Sequence, residues 1–250
     1  MNEFQSQNQR SSQRPSWSQP DSGWGSLQAQ TAAQASLADR LSFIRKVYGL
    51  FFAATLFAIG GVLLGFSNVP LMAFAVEHPI IMLIAMIGGV MGATAVRHKP
   101  GINLAALFGF TFISGLMLTP ILTVAGGLRN GGQLVALSGG LTAAVFFALA
   151  AYATVSKRDF SFLGKFLFVG VILLLVAMVA NLFFQVPAAA LALSAIAVLI
   201  FSLYLLYDLS SIIRGGETNY VMATMRLFLD LFNIFVNLLS LLMAFSGQRD

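Results

Sequence analysis

The sequence contains no cysteine, which excludes disulfides, thiolate metal sites and cysteine nucleophiles. Charge is nearly as scarce. Only 9% of the residues are Asp, Glu, Lys or Arg, where soluble globular chains carry roughly 25%. With 58% of its 250 residues hydrophobic, a soluble fold could not hide the apolar surface and still show water a charged exterior. A soluble enzyme is therefore excluded. There are two histidines; His78 and His98 lie at the ends of apolar runs, without the partner spacing of a metal site. No cofactor is called for. The net charge of +5 does not point to nucleic acid, because the basic residues form no continuous patch and sit instead at the ends of apolar runs. What is abundant is Phe and Gly, 23 of each, a combination suited to close-packed helices in lipid.

Residues 1–38 are a different kind of polymer. Sixteen of the first 40 residues are Ser or Gln, and both tryptophans, Trp17 and Trp24, lie here. The segment has no amphipathic period and no apolar core of a signal peptide. Its composition predicts a disordered cytoplasmic tail, or a handle that a protease or partner grips. Residues 39–246 read as the transmembrane domain and 247–250 as a short C-terminal tail. Within the domain, apolar runs near the ~20 residues of a bilayer span fall at 47–66, 79–96, 102–125, 134–155, 166–184, 188–207 and 227–244. Pro187 marks the break between the fifth and sixth, since it cannot continue the fifth helix. The predicted class is an all-α polytopic membrane protein of seven transmembrane helices, with the lipid bilayer as its first partner.

Orientation follows from the basic residues between spans. Arg10, Arg14, Arg40, Arg45 and Lys46 precede the first span; Arg97 and Lys99 follow the second. Lys157, Arg158 and Lys165 follow the fourth, and Arg214 and Arg226 the sixth. Those alternate segments hold twelve of the fourteen basic residues, leaving Arg129 and Arg249 on the other side. The bias puts the N-terminus in the cytoplasm and, with seven spans, the C-terminus outside. The seventh span is the least secure, because a re-entrant seventh segment would satisfy the charge rule equally.

Ionisable residues within spans are costly and mark function by default. Asp208 ends the sixth apolar run, and its helix is expected to continue to a Gly215-Gly216 stop. Asp208 then lies about 9 Å inside Arg214, and Asp230 about 6 Å inside Arg226. Both carboxylates are thus at matching depth on consecutive antiparallel helices, close to the cytoplasmic surface. In the seventh span Asp230, Asn233, Asn237 and Ser240 recur at i, i+3, i+7 and i+10, a polar stripe that lipid would penalise. It should face the bundle interior, which makes the seventh helix central. The stripe reads either as interhelical hydrogen bonding or as a hydrated ion path, and the acid at its cytoplasmic end favours the path.

Two carboxylates in a poorly hydrated site cannot both ionise cheaply, so they share a proton. Such a pair is a pH-sensitive latch: protonated, it closes through a carboxyl–carboxylate hydrogen bond; deprotonated, it repels, opens or accepts a hard cation. The expected ligands are Ca2+ or H+. Asp208, Asp230 and Glu217 are too few for a high-affinity Ca2+ cage, so metal contact at Asp208 and Asp230 is expected to be weak and transient. Arg97, at the cytoplasmic end of the second span, is a candidate charge partner for either acid, or a topology charge that snorkels to the interface. Asn181 and Gln185 share a face of the fifth helix and are candidates for the internal polar network. Gly61-x-x-x-Gly65 and Gly88, Gly89 and Gly92 suit close helix contact.

Paired aspartates on adjacent membrane helices also describe intramembrane aspartyl proteases, and Tyr207-Asp208 matches one of their motifs. The second, Gly-x-Gly-Asp, fails, because Leu227, Phe228 and Leu229 precede Asp230; the Pro-Ala-Leu element is missing too. Serine-type proteolysis has neither a Gly-x-Ser-Gly motif at Ser114-Gly115 or Ser138-Gly139 nor a mid-span histidine as base. These absences argue against an enzyme.

The run Tyr207-Asp208-Leu-Ser-Ser-Ile-Ile-Arg214-Gly215-Gly216-Glu217-Thr218-Asn219-Tyr220, with Ala223-Thr224 and Leu229-Asp230-Leu-Phe-Asn233-Ile-Phe, resembles the Bax inhibitor-1 family. Its loop motif, Gly215, Gly216, Glu217 and Asn219, is especially similar to the bacterial YccA-like branch. Further agreement comes from Phe43-Ile-Arg45-Lys46-Val-Tyr48, Gly115-Leu-Met-Leu-Thr-Pro120, Lys157-Arg158-Asp159-Phe-Ser-Phe-Leu-Gly164 and Met178-Val-Ala-Asn181. The resemblance covers about residues 40–246. It implies seven helices with the seventh enclosed, and a pH-dependent calcium leak gated by an aspartate pair that maps to Asp208 and Asp230. For the YccA-like branch it implies instead a modulator, or tail-gripped substrate, of a membrane-anchored AAA protease. The expected location is a bacterial cytoplasmic (inner) membrane.

Overall fold

A computed structural model describes residues 37–247 apart from Lys157. The tail expected over 1–38 therefore lies outside the described residues up to position 36, as do residues 248–250. Among the described residues eight helices follow one another: α1 (Leu37–Ser67), α2 (Val69–Glu77), α3 (Pro79–Ala95), α4 (Ile102–Gly126), α5 (Gly131–Val155), α6 (Leu163–Phe184), α7 (Pro187–Arg214) and α8 (Tyr220–Gly247).

The breaks have local causes. The Asn68 side chain accepts the Leu71 N–H at 3.1 Å and caps α2, and Pro70 fits the first turn, where a missing N–H costs nothing. Pro79 keeps His78 out of the helical region (φ −122°, ψ 60°), as proline does to the residue before it. Between α6 and α7, Gln185 adopts the left-handed conformation (φ 49°) and Pro187 opens the next helix, so the break expected at Pro187 is present. Gly215 (φ 79°) ends α7 at the expected stop.

Among the described residues six helices are each long and apolar enough to cross a bilayer. The uncertain segment is not the seventh apolar run: α8 is one unbroken helix of 28 residues, because no glycine or proline interrupts it before Gly247. The ambiguity falls on the second run instead. It forms α3 only after the short α2, and the two helices meet at 94°; they count as one bent span or as a re-entrant pair. Residues 69–77, which fall between the first and second apolar runs, are thus helical.

Contacts between loops sort the bundle into two ends. Asn219 Nδ2 donates to Arg97 O at 2.8 Å, Arg214 Nη2 to Ser156 O at 2.8 Å, and Lys46 Nζ lies 5.8 Å from the centre of the Tyr220 ring. Those contacts gather the start of α1 and the α3–α4, α5–α6 and α7–α8 connections, where Arg40, Arg45, Lys46, Arg97, Lys99, Arg158 and Arg214 reside. At the far end Asn130 Nδ2 donates to Ser246 Oγ at 2.8 Å, beside Arg129.

Packing follows the rule for helices in lipid, where small residues permit backbone approach. At Gly61 a Cβ would collide with Phe112 O, at Gly115 with Ala58 O, and at Gly65 with the Thr119 side chain, so α1 and α4 are sealed together. Of the second glycine group only Gly89 has such a role, against the Phe110 ring; Gly88 and Gly92 have nothing within 4 Å of an added Cβ. α8 packs on α1, α4, α5 and α7 and contributes to all three buried clusters, with Leu227 and Ile234 in one, Met225 and Phe228 in the second and Leu239 in the third. Phe52, Phe147, Phe166 and Phe183 point outward, as side chains facing lipid do.

Candidate functional site

α7 and α8 are antiparallel neighbours joined by the five residues 215–219, and this connection builds the site. The αL conformation of Gly215 ends α7, and the Gly216 N–H returns to Ser211 O at 2.8 Å. Glu217 then folds back, its Oε1 accepting from the N–H groups of Thr218 (2.9 Å) and Asn219 (2.8 Å). Asn219 caps α8: its Oδ1 accepts from Val221 N at 3.0 Å and Met222 N at 3.1 Å, the arrangement that satisfies the unpaired N–H groups of a helix start.

This turn brings Asp208 of α7 beside Asp230 of α8. Both are 4% exposed, and their side chains are within hydrogen-bonding reach of each other. Leu205, Leu206, Leu209, Leu227 and Ile234 are buried in the same region. Asp230 Oδ2 is buried with no hydrogen-bond partner among the described residues. The nearest cation is Arg226, one turn before Asp230 on α8, whose Nη1 lies 3.8 Å from Asp208 Oδ1 and 3.3 Å from Glu217 Oε2. Two acids thus share one guanidinium, and the second buried acid, Asp230, adjoins Asp208. Two unit charges ~4 Å apart repel by roughly 4 kcal/mol at an effective dielectric constant of ~20, which is comparable to the whole net stability of many domains. The arrangement is chemically suited to take up a proton or to admit a cation. Among the described residues no group of three His, Cys, Asp or Glu side chains is placed to hold a metal ion.

The other sequence-predicted residues are placed differently. Arg97 is exposed, and its Nε donates to His98 Nε2 at 2.9 Å; it contributes its backbone carbonyl to Asn219 and Asn103, while the guanidinium beside Asp208 belongs to Arg226. Asn237 is buried and Asn233 and Ser240 half-buried. The donors of all three turn back to their own helix: Asn233 Nδ2 to Leu229 O at 2.8 Å, Asn237 Nδ2 to Asn233 O at 2.8 Å, and Ser240 Oγ to Val236 O at 2.9 Å. Asn181 is at the far end of the bundle, where its Oδ1 accepts from Val186 N at 3.2 Å and helps close α6. Gln185 is exposed at that turn.

Sequence reasoning missed Arg226 as the partner of Asp208, having used it only to set orientation and to mark depth; the i, i+4 spacing to Asp230 was the available signal. It also missed the α5–α6 loop, where Ser161 donates to Asp159 from its N–H (2.9 Å) and its Oγ (3.0 Å). Those two hydrogen bonds, and then Arg214, hold the Asp159 carboxyl below the usual carboxylate range. Two open spaces lie among the described residues, one of them beside the site. A cleft of about 180 Å³ at its mouth is lined by Asp39, Arg40, Phe43, Ile212, Gly215, Glu217 and Thr218. An apolar groove of about 200 Å³ runs between α1, α4 and α8.

The architecture is that of a polytopic helical membrane protein with an acid pair buried between its last two helices. Residues 40–247 match the family described as inhibitor of apoptosis-promoting Bax1. The chain belongs to this Bax inhibitor-1 family. It is 42% identical over 165 residues to the modulator of FtsH protease YccA of Escherichia coli K12, covering 65% of this chain and 74% of that one, which puts it with the bacterial YccA-like members. An uncharacterised protein of Campylobacter jejuni is 37% identical over 209 residues, 82% of this chain and 90% of the other. One of Helicobacter pylori is 32% identical over 216 residues, 83% and 89%.

Proposed function

We propose that the protein is a non-catalytic modulator of a membrane-anchored AAA protease of the FtsH type, in the inner membrane of a bacterium. The observation that carries this is the 42% identity to a protein named as a modulator of FtsH protease. In this reading the chain crosses the membrane seven times, with α2 and α3 as one bent span, α8 as the inner helix, the N-terminus in the cytoplasm and the C-terminus outside. The basic end of the bundle is then the protease side. The test is degradation of a membrane substrate by the reconstituted protease. Added wild-type protein should slow turnover several-fold, and a form lacking residues 1–38 should lose most of the effect. Equal turnover with and without the protein would discard the reading.

A second reading has its own support in the buried, partly unsatisfied acid pair. It is a pH-sensitive cation (Ca2+) leak for which Asp208 and Asp230 are the gate, with Asn233, Asn237 and Ser240 along the path. Ca2+ flux into proteoliposomes should vary across about pH 6 to 8, the region to which functional carboxylates are tuned. Asp208→Asn and Asp230→Asn should remove that dependence. Flux no greater than in empty liposomes at every pH would end this reading.

A further inference from the structure

Glu217 and Arg226 have no part in the two-aspartate gate as described, yet their geometry ties them to it. One oxygen of Glu217 is fixed by two backbone N–H groups of its own loop, which leaves Oε2 aimed at Arg226. The same Arg226 nitrogen lies 3.3 Å from Glu217 and 3.8 Å from Asp208. The exposures are graded: the Arg226 side chain is 41% exposed, Glu217 16% and Asp208 6%. The guanidinium therefore bridges from the water-facing mouth to the interior acids, and its charge is divided between a fixed loop carboxylate and the buried pair.

We propose that Glu217 is a positioning residue that holds Arg226 at the mouth of the Asp208–Asp230 pair and so sets the proton concentration at which the site opens. This rests on the cation-pathway reading. The groups facing Arg226 are Glu217, Asp208, Asp230 and, one turn before Asp208 on α7, Tyr204. α1 brings Asp39 and Arg40 to the cleft beside Glu217 and Lys46 to the Tyr220 ring. Tyr152 is the sole titratable residue of α5, and α4 has none. Arg226 is thus the cation set between the loop acid and the buried pair. Taking away Glu217 gives it wholly to Asp208 and favours the ionised, open pair; taking away Arg226 does the reverse.

The test uses Ile212→Cys, a buried position in the mouth cleft and a unique thiol in a chain without cysteine. Its reaction with a membrane-impermeant maleimide is followed in vesicles of both orientations across about pH 6 to 8, alongside Ca2+ flux. Glu217→Gln should move the labelling profile to lower pH by about one unit, tenfold in proton concentration. Arg226→Gln should move it to higher pH, and adding Glu217→Gln to that variant should leave only the smaller shift of the direct repulsion between Glu217 and Asp208. Arg226→Lys should restore the wild-type profile. If Glu217→Gln does not fold, Glu217→Asp, which keeps the charge but shortens the reach, should give a smaller shift of the same sign. A profile that keeps its midpoint while labelling rises equally at all pH values would overturn the inference. So would a Glu217→Gln shift that keeps its full size without Arg226. If no protein conducts but the labelling profile shifts as described, the cation reading fails and the positioning of Arg226 stands.

Discussion

Asn219 donates from Nδ2 to the backbone carbonyl of Arg97 at 2.8 Å, joining two loops that are 122 positions apart in the chain. The same side chain caps α8 through its oxygen, so one residue fixes both the start of the last helix and its attachment to the α3–α4 connection. Losing an N-cap costs about 1 kcal/mol, and the tether adds a further hydrogen bond of about 1 kcal/mol. Asn219→Ala should lower the melting temperature in detergent by about 4–8 °C at the usual 2–4 °C per kcal/mol. Asn219→Asp, which keeps the capping oxygen and loses the donor, should recover about half. Equal losses in the two variants would mean that the cap contributes little.

The glycine contacts of α1 and α4 give a prediction with an internal control. Gly115→Ala would place a methyl against the Ala58 carbonyl, and overpacking of this kind costs about 1–3 kcal/mol. Gly88→Ala meets nothing within 4 Å and gains up to about 1 kcal/mol of helix propensity. Melting should therefore fall for the first and hold or rise for the second. A similar fall for both would mean that α1 and α4 are not sealed at Gly115.

The helix order and the acid pair were legible in the sequence because each follows from a short-range rule. Apolar runs reveal spans, Gly215-Gly216 a stop, and Asp208 and Asp230 a matching depth on neighbouring helices. The contents of the loops were less legible. Arg97 and Arg226 are both basic residues near span ends, and charge counting treats them alike; only the folding back of residues 215–219 gives Arg226 to Asp208 and leaves Arg97 with His98. The glycine groups failed in part for a related reason, since Gly88 and Gly92 have the spacing of a contact face but no helix opposite. The short α2 was missed because nine residues containing Pro70 lie well below the length of a span.

The α5–α6 loop supplies a pH prediction of definite sign. Asp159 has its carboxyl held low by hydrogen bonds from Ser161, so its contribution to loop order is present above about pH 3.9, the unfolded value. That contribution is lost as pH falls through the lower folded value. Ser161→Ala should raise the Asp159 titration toward the ordinary carboxylate range, as read by NMR of carboxyl-labelled aspartate. Asp159 stays ionised at and above neutrality in both forms, so the variant should leave any pH response between about 6 and 8 unchanged. A response that moved with Ser161 would relocate the sensor from the acid pair to this loop.

The acid pair and the N-terminal segment separate the two functional readings. Replacing either buried carboxylate by its amide removes one of two like charges whose repulsion is roughly 4 kcal/mol when both are ionised, with little change of shape. Asp208→Asn and Asp230→Asn should therefore fold, and their melting temperatures should depend less on pH than that of the wild type. In a cation leak, either substitution abolishes the pH response of flux and deletion of residues 1–38 leaves it intact. In a protease modulator the pattern reverses: the deletion abolishes the several-fold effect on substrate turnover, and the Asp→Asn variants retain it. Measuring both activities on all three proteins decides between the readings. Loss of both activities in an Asp→Asn variant that melts as a folded protein would mean that the acid pair controls the bundle conformation the protease recognises.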